Sequence, residues 1–154
     1  MRFVSPSFVA ALCLLLCGFA GVGAAGATGT EAGSTEVRRD FETILDLWRD
    51  GRFAELYERT YAAGSRSRES FLRKMSLADR RPACCWEKMQ EVKVTVSGAD
   101  TATLHARIGL ERTGTETDSC TRSFRMKRES GVWKASLSDI LSLAGTSRKK
   151  SSRR

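Results

Sequence analysis

Thr101-Ala102-Thr103-Leu104-His105-Ala106-Arg107-Ile108-Gly109-Leu110 decides the fold of this chain. Ala102, Leu104, Ala106, Ile108 and Leu110 are apolar, and Thr101, Thr103, His105, Arg107 and then Glu111 alternate with them. Successive side chains of a strand point to opposite faces, so this period of two predicts a strand with one buried and one wet face. The period recurs in Val92, Val94 and Val96 against Glu91, Lys93 and Thr95. It returns in Phe124 and Met126 against Ser123, Arg125 and Lys127, and in Trp133, Ala135 and Leu137 against Lys134, Ser136 and Ser138. Residues 97–100, 113–117 and 129–131 carry the Gly, Ser and Asp of turns. Four strands joined by short connections predict an antiparallel meander whose single apolar face is covered by helices.

Upstream the period is 3.6. Val37, Phe41, Ile44, Leu45 and Trp48 mark one helix, capped by Ser34 or Thr35 with Glu36 in its first turn and stopped by Asp50-Gly51. A second helix carries Phe53, Leu56, Tyr57 and Tyr61 on one face and breaks at residues 62–65. A third, capped by Ser65 or Ser67, runs through Phe71, Leu72 and Met75 and ends at Arg80-Arg81-Pro82. Asp139 is placed to cap a short terminal helix or turn at residues 140–143. The fold class is α+β, with N-terminal helices packed on one face of a four-stranded antiparallel sheet.

The stretch Phe41-x-x-Ile44-Leu45-x-Leu47-Trp48-x-Asp50-Gly51-x-Phe53-x-x-Leu56-Tyr57 resembles the opening helix pair of the nuclear-transport-factor-2-like superfamily, which has a cystatin-like fold. Gly131-Val132-Trp133-Lys134-Ala135 is similar to the hairpin that often closes its sheet. The resemblance spans roughly residues 35–143 and implies a cone, a curved sheet wrapped over helices with a pocket at the open end. Members include isomerases, cyclases, dehydratases and exported proteins without an assigned reaction. The fold therefore does not choose a chemistry.

The N-terminus reads as an address. Arg2 precedes the uncharged apolar run 8–20, and Ala25-Gly26-Ala27 is a small-residue cleavage pattern, the layout of a secretory signal peptide cut after Ala27. The expected product is exported, periplasmic or secreted. The alternatives are an uncleaved membrane anchor and a lipoprotein lipidated on Cys17, where Leu16 stands at a position that normally wants a small residue. Cleavage leaves 127 residues, read as a linker at 28–34, one domain at 35–145 and a basic tail at 146–154. The mature net charge is +7, and Arg148, Lys149, Lys150, Arg153 and Arg154 supply five of its positive charges. That tail has no apolar residue with which to pack, and it suits either solvation or contact with an anionic surface. No aromatic residue is interleaved with the charges, which argues against a nucleic-acid partner.

Catalytic residues are hard to find. The one histidine, His105, falls on the wet face of its strand. Asp40, Asp46 and Asp139 border apolar positions, but nothing in the sequence shows a tuned acid. Arg122 shares the parity of Phe124 and Met126, so regular alternation turns it inward. Three outcomes are open for it: an ion pair with Asp40 or Asp46, an anion-binding role in a pocket, or a bulge that turns it outward. Tyr57 and Tyr61 join Arg122 as candidate ligand-binding residues, and Trp48, Trp86 and Trp133 suit either core or lining. Cys84, Cys85 and Cys120 remain after cleavage. With no Cys-x-x-Cys and one histidine, neither a metal nor a cofactor is expected. In an oxidising compartment, Cys84 or Cys85 is expected to bridge Cys120, with one thiol left over. That bridge requires the 84–85 segment to lie in a loop free to fold over, because first and third strands stand about 9.5 Å apart.

The leading expectation is a non-enzymatic exported domain that binds a partner or small ligand through its cone or sheet face. A homodimer stays open. The alternatives are a small isomerase- or cyclase-type enzyme using Tyr57 with an acid such as Asp46, and a surface binder acting through the tail. An interior filled by Phe41, Trp48 and Trp133 would count against the enzyme.

Overall fold

The computed structural model describes residues 28–62, 67–112 and 115–146. The signal-peptide reading and the basic residues of the tail lie outside them. Among the described residues no helix is long and apolar enough to cross a membrane.

The chain enters through α1 (Thr28–Arg49) and α2 (Phe53–Glu58). It continues through β1 (Thr60–Tyr61), α3 (Arg68–Ser76) and β2 (Arg80–Pro82). A one-turn 3-10 helix (Cys85–Lys88) leads into β3 (Met89–Val96), β4 (Thr101–Arg112), β5 (Thr115–Glu129), β6 (Val132–Ser136) and α4 (Leu137–Leu143). The β3–β6 run is the expected antiparallel meander, and β4 pairs along most of its length with β5. The sheet is strongly curled. Bulges interrupt the register between Gln90 and Lys93, where Glu91 has φ 53°, and between Leu110 and Arg112. Such bulges bend a strand and raise its twist.

The sheet has six strands where the alternation predicts four. β1 adds parallel to β6, Thr60 opposite Ala135, so Tyr61 belongs to the sheet and not to the second helix. β2 pairs with the far end of β4, Pro82 opposite Leu110, where the expected helix terminus stands. Strands of two and three residues are too short to show a period. The supposed linker 28–34 is helical, and Ser34 and Thr35 do not cap it. Their hydroxyls donate to the Glu31 carbonyl inside α1. Ser67 does cap α3, accepting the Ser70 N–H at 3.3 Å. Gly51 ends α1 at φ 71°, and Ser130 and Gly131, both at positive φ, make the two-residue β5–β6 turn. Leu137 leaves the strand to start α4, one residue after Ser136.

The core is one layer. Val37, Phe41, Ile44, Leu45 and Trp48 of α1 pack against Leu104, Ala106, Ile108, Phe124, Met126 and Trp133 of the sheet, all at most 2% exposed. The Phe41 and Phe124 rings stand 4.6 Å apart. Each large side chain buried this way contributes about 1.5–3 kcal/mol. Asp40, itself buried, ties α1 to β6 by accepting the Trp133 backbone N–H at 2.9 Å.

Candidate functional site

The inner face of β5 carries Cys120, Arg122, Phe124 and Met126, opposite Ile108, Ala106, Leu104 and Ala102 of β4. Arg122 is partly buried on this inner face and turned toward α4. Its partner is neither Asp40 nor Asp46. Arg122 Nη1 and Nη2 each donate to Ser142 Oγ of α4 at 3.2 Å. Asp40 is committed to Trp133, and Asp46 accepts from Lys88 Nζ at 2.6 Å. Among the described residues no carboxylate stands within ion-pair distance of Arg122. A guanidinium has five N–H donors in a planar fork, so two on one hydroxyl leave three without a described protein partner. Ser142 was not foreseen. It sits past the last predicted strand, where periodicity gives no hint of what faces β5.

The tyrosines do not join it. Tyr57 of α2 packs on Phe71 of α3, ring centroids 5.5 Å apart. Tyr61 stands at the β1–β6 edge beside Ser136, where burial raises its hydroxyl pKa against the lowering effect of Arg125 nearby. Around Ser136 lies a polar cluster that sequence reasoning missed. Arg125 Nη2 donates to Ser136 Oγ, Ser138 Oγ and Asp139 Oδ1, each at 3.2 Å, and the Arg125 N–H and Nε reach Asp139 Oδ2 at 3.2 and 3.3 Å. Asp139 is thus a clamp from the first turn of α4 to β5, and it holds Arg125 more firmly protonated than usual. Its donors and acceptors are spent on one another, so it fixes α4 and with it Ser142.

Of the pair named in the enzyme alternative, Asp46 is exposed and accepts from Lys88. Phe41, Trp48 and Trp133 are buried in the interior. His105 is exposed on the outer face, its Nδ1 3.0 Å from Ser123 Oγ. A hollow of about 210 Å³ between α1 and β3, lined by Ser34, Thr35, Arg38, Val92 and Val94, is below the size usual for a small-molecule site. Among the described residues no group of three His, Cys, Asp or Glu could hold a metal ion.

The cysteines depart from the expected pairing. Cys84 and Cys85 are bonded to each other, Cα atoms 3.7 Å apart, and Cys120 is free. The reason is the face. Cys120 lies opposite Ile108 on the inner side, whereas residues 83–87 lie against the side of β4 where a Gly109 side chain would stand. One strand of sheet separates them. A bridge between neighbours also closes almost no chain, on the order of 1 kcal/mol by the chain-entropy relation against about 4 for the 36-residue loop expected from sequence.

No family model and no curated protein matches the chain. Among solved structures it is similar to an NTF2-like protein with a cystatin-like fold from Novosphingobium aromaticivorans, at 16% identity and a TM-score of 0.47, over 66% of this chain and 75% of that one.

Proposed function

We propose that the chain is an exported small binding domain that takes an anionic ligand on Arg122, at the inner face of β5. The observation that carries this reading is an inward, partly buried guanidinium answered only by a serine hydroxyl among the described residues. An arginine so placed costs desolvation that one neutral acceptor does not repay, and a ligand carboxylate supplies the missing charge in bidentate form. Cys120 and Phe124, two residues to either side on the same face, give that ligand apolar surroundings, which favours a carboxylate with an apolar body. The signal-like N-terminus supports the export part.

The test uses 8-anilinonaphthalene-1-sulfonate as a fluorescent anionic probe, competed by short alkyl carboxylates. Binding to the unmodified chain and a loss of about 10- to 150-fold in Arg122→Gln are expected, the equivalent of one charge-assisted hydrogen-bonded contact of about 1.5–3 kcal/mol. Equal affinity in a folded Arg122→Gln protein would overturn the assignment.

A further inference from the structure

Cys84 and Cys85 are a chemical feature that ligand binding at Arg122 leaves unused. Both are exposed, and Trp86 beside them is 74% exposed. Their bond joins no two elements, so the fold does not depend on it. Other contacts hold the segment on either side. Arg49 Nη1 donates to the Pro82 carbonyl at 2.9 Å, and the Ala83 N–H to the Gly109 carbonyl at 2.8 Å. The Cys84 N–H reaches Glu111 Oε1 at 3.3 Å, and Lys88 is bound to Asp46. Glu111 is itself held by Arg49 Nη1 at 3.2 Å and Arg81 Nε at 3.1 Å. Opening the sulfur–sulfur bond removes none of these anchors. A disulfide that is accessible, carries no architecture and sits on a pinned segment is arranged to open and close repeatedly.

We propose that Cys84–Cys85 is a thiol–disulfide exchange site whose substrate is a dithiol, on a partner protein or a small molecule. A substrate thiolate attacks one sulfur of the pair. The Cys84–Cys85 bond breaks as the mixed disulfide forms, and the leaving thiolate takes a proton from water. The second substrate thiolate then displaces the first cysteine. The substrate leaves as a disulfide, Cys84 and Cys85 remain as two thiols, and two electrons have passed from substrate to protein. The reverse reaction, with a disulfide substrate, restores the bond. Trp86 offers the partner an aromatic contact and reports the state of the adjacent sulfurs through its emission.

Dithiothreitol is the probe. The full chain is equilibrated with graded ratios of reduced and oxidised dithiothreitol, then alkylated with iodoacetamide in denaturant and digested with trypsin. Residues 81–88 carry Cys84 and Cys85, and residues 113–122 carry Cys120, so the cysteines report separately. Without reductant, no label on 81–88 and one on 113–122 are expected. Added reductant should take 81–88 to two labels, reversibly, with an unchanged far-ultraviolet spectrum and a change in emission that Trp86→Phe abolishes. The Cys84→Ser/Cys85→Ser double variant should keep the fold and lose the response. A peptide linking 81–88 to 113–122, two labels on 81–88 before reduction, or unfolding on reduction would each overturn the proposal.

Discussion

Gly109 is the position at which one added methyl group tests the architecture around the cysteine pair. A β-carbon there would fall onto the Glu87 carbonyl oxygen, 3.2 Å from the Glu87 carbonyl carbon and 3.1 Å from the Ala83 β-carbon. None of these atoms is the end of a flexible side chain, and Ala83 is fully buried. The 82–88 segment must therefore lift from β4 as a unit in Gly109→Ala. Overpacking of this kind costs about 1–3 kcal/mol. Lifting the segment also stretches the 2.8 Å hydrogen bond from the Ala83 N–H to the Gly109 carbonyl, whose loss adds about 0.5–1.5 kcal/mol. The sum is roughly 2–4 kcal/mol, or a fall in Tm of about 8–16 °C for a domain of this size. His105→Ala is the control. It lies on the same face of β4, exposed, and should change stability by about 0.5 kcal/mol or less. Thermal and urea denaturation followed by circular dichroism read both variants. A Gly109→Ala melting point within about 2 °C of the parent would mean that the segment does not lie against β4, and the argument for separate faces would fall with it.

Two further expectations concern the ties around the core. Asp40→Ala strands the buried Trp133 N–H and should cost about 2–3 kcal/mol in urea denaturation, whereas Asp40→Asn keeps an acceptor and should cost about 1 kcal/mol; equal losses would contradict the hydrogen bond as their source. Glu111 has its carboxyl pKa lowered, first by its hydrogen bond to Arg49, so its contribution is present above the ordinary carboxylate range and is lost as pH falls through the lowered folded value. Glu111→Gln should therefore be about 1 kcal/mol less stable than the parent at pH 7, with the gap closing below about pH 4; a gap equal at pH 7 and pH 3 would refute the linkage.

What could be read from the sequence was whatever repeats. Leu104, Ile108 and Phe124 sit where their period places them, and so does the α1 stripe of Phe41, Ile44 and Trp48. β1 and β2 were invisible because two or three residues hold no period, and Pro82 in β2 reads as a breaker while occupying a short strand. The start of α1 was hidden by its glycine and threonine content, since propensity argues against helix where Ser34 and Thr35 in fact bond back to Glu31. Leu137 keeps the strand's alternation yet begins a helix, because the period records which side is buried and not where the backbone turns.

Parity places a side chain on a face without naming what it meets there. It set Arg122 inward, and the tertiary arrangement of α4 then chose Ser142 over either aspartate. The cysteines failed for the complementary reason: sequence distance suggested a partner, and the face forbade it. The signal that could have found this was Gly109, a glycine on the wet side of a strand otherwise filled by Thr103, His105, Arg107 and Glu111. A glycine inside a strand often marks close approach of another backbone. Here the approaching backbone is the one that carries Cys84 and Cys85. Cys120 is thereby left free on the inner face, two residues from Arg122, and the disulfide stays outside. The proposed anion site and the proposed exchange site are therefore separated by β4 itself.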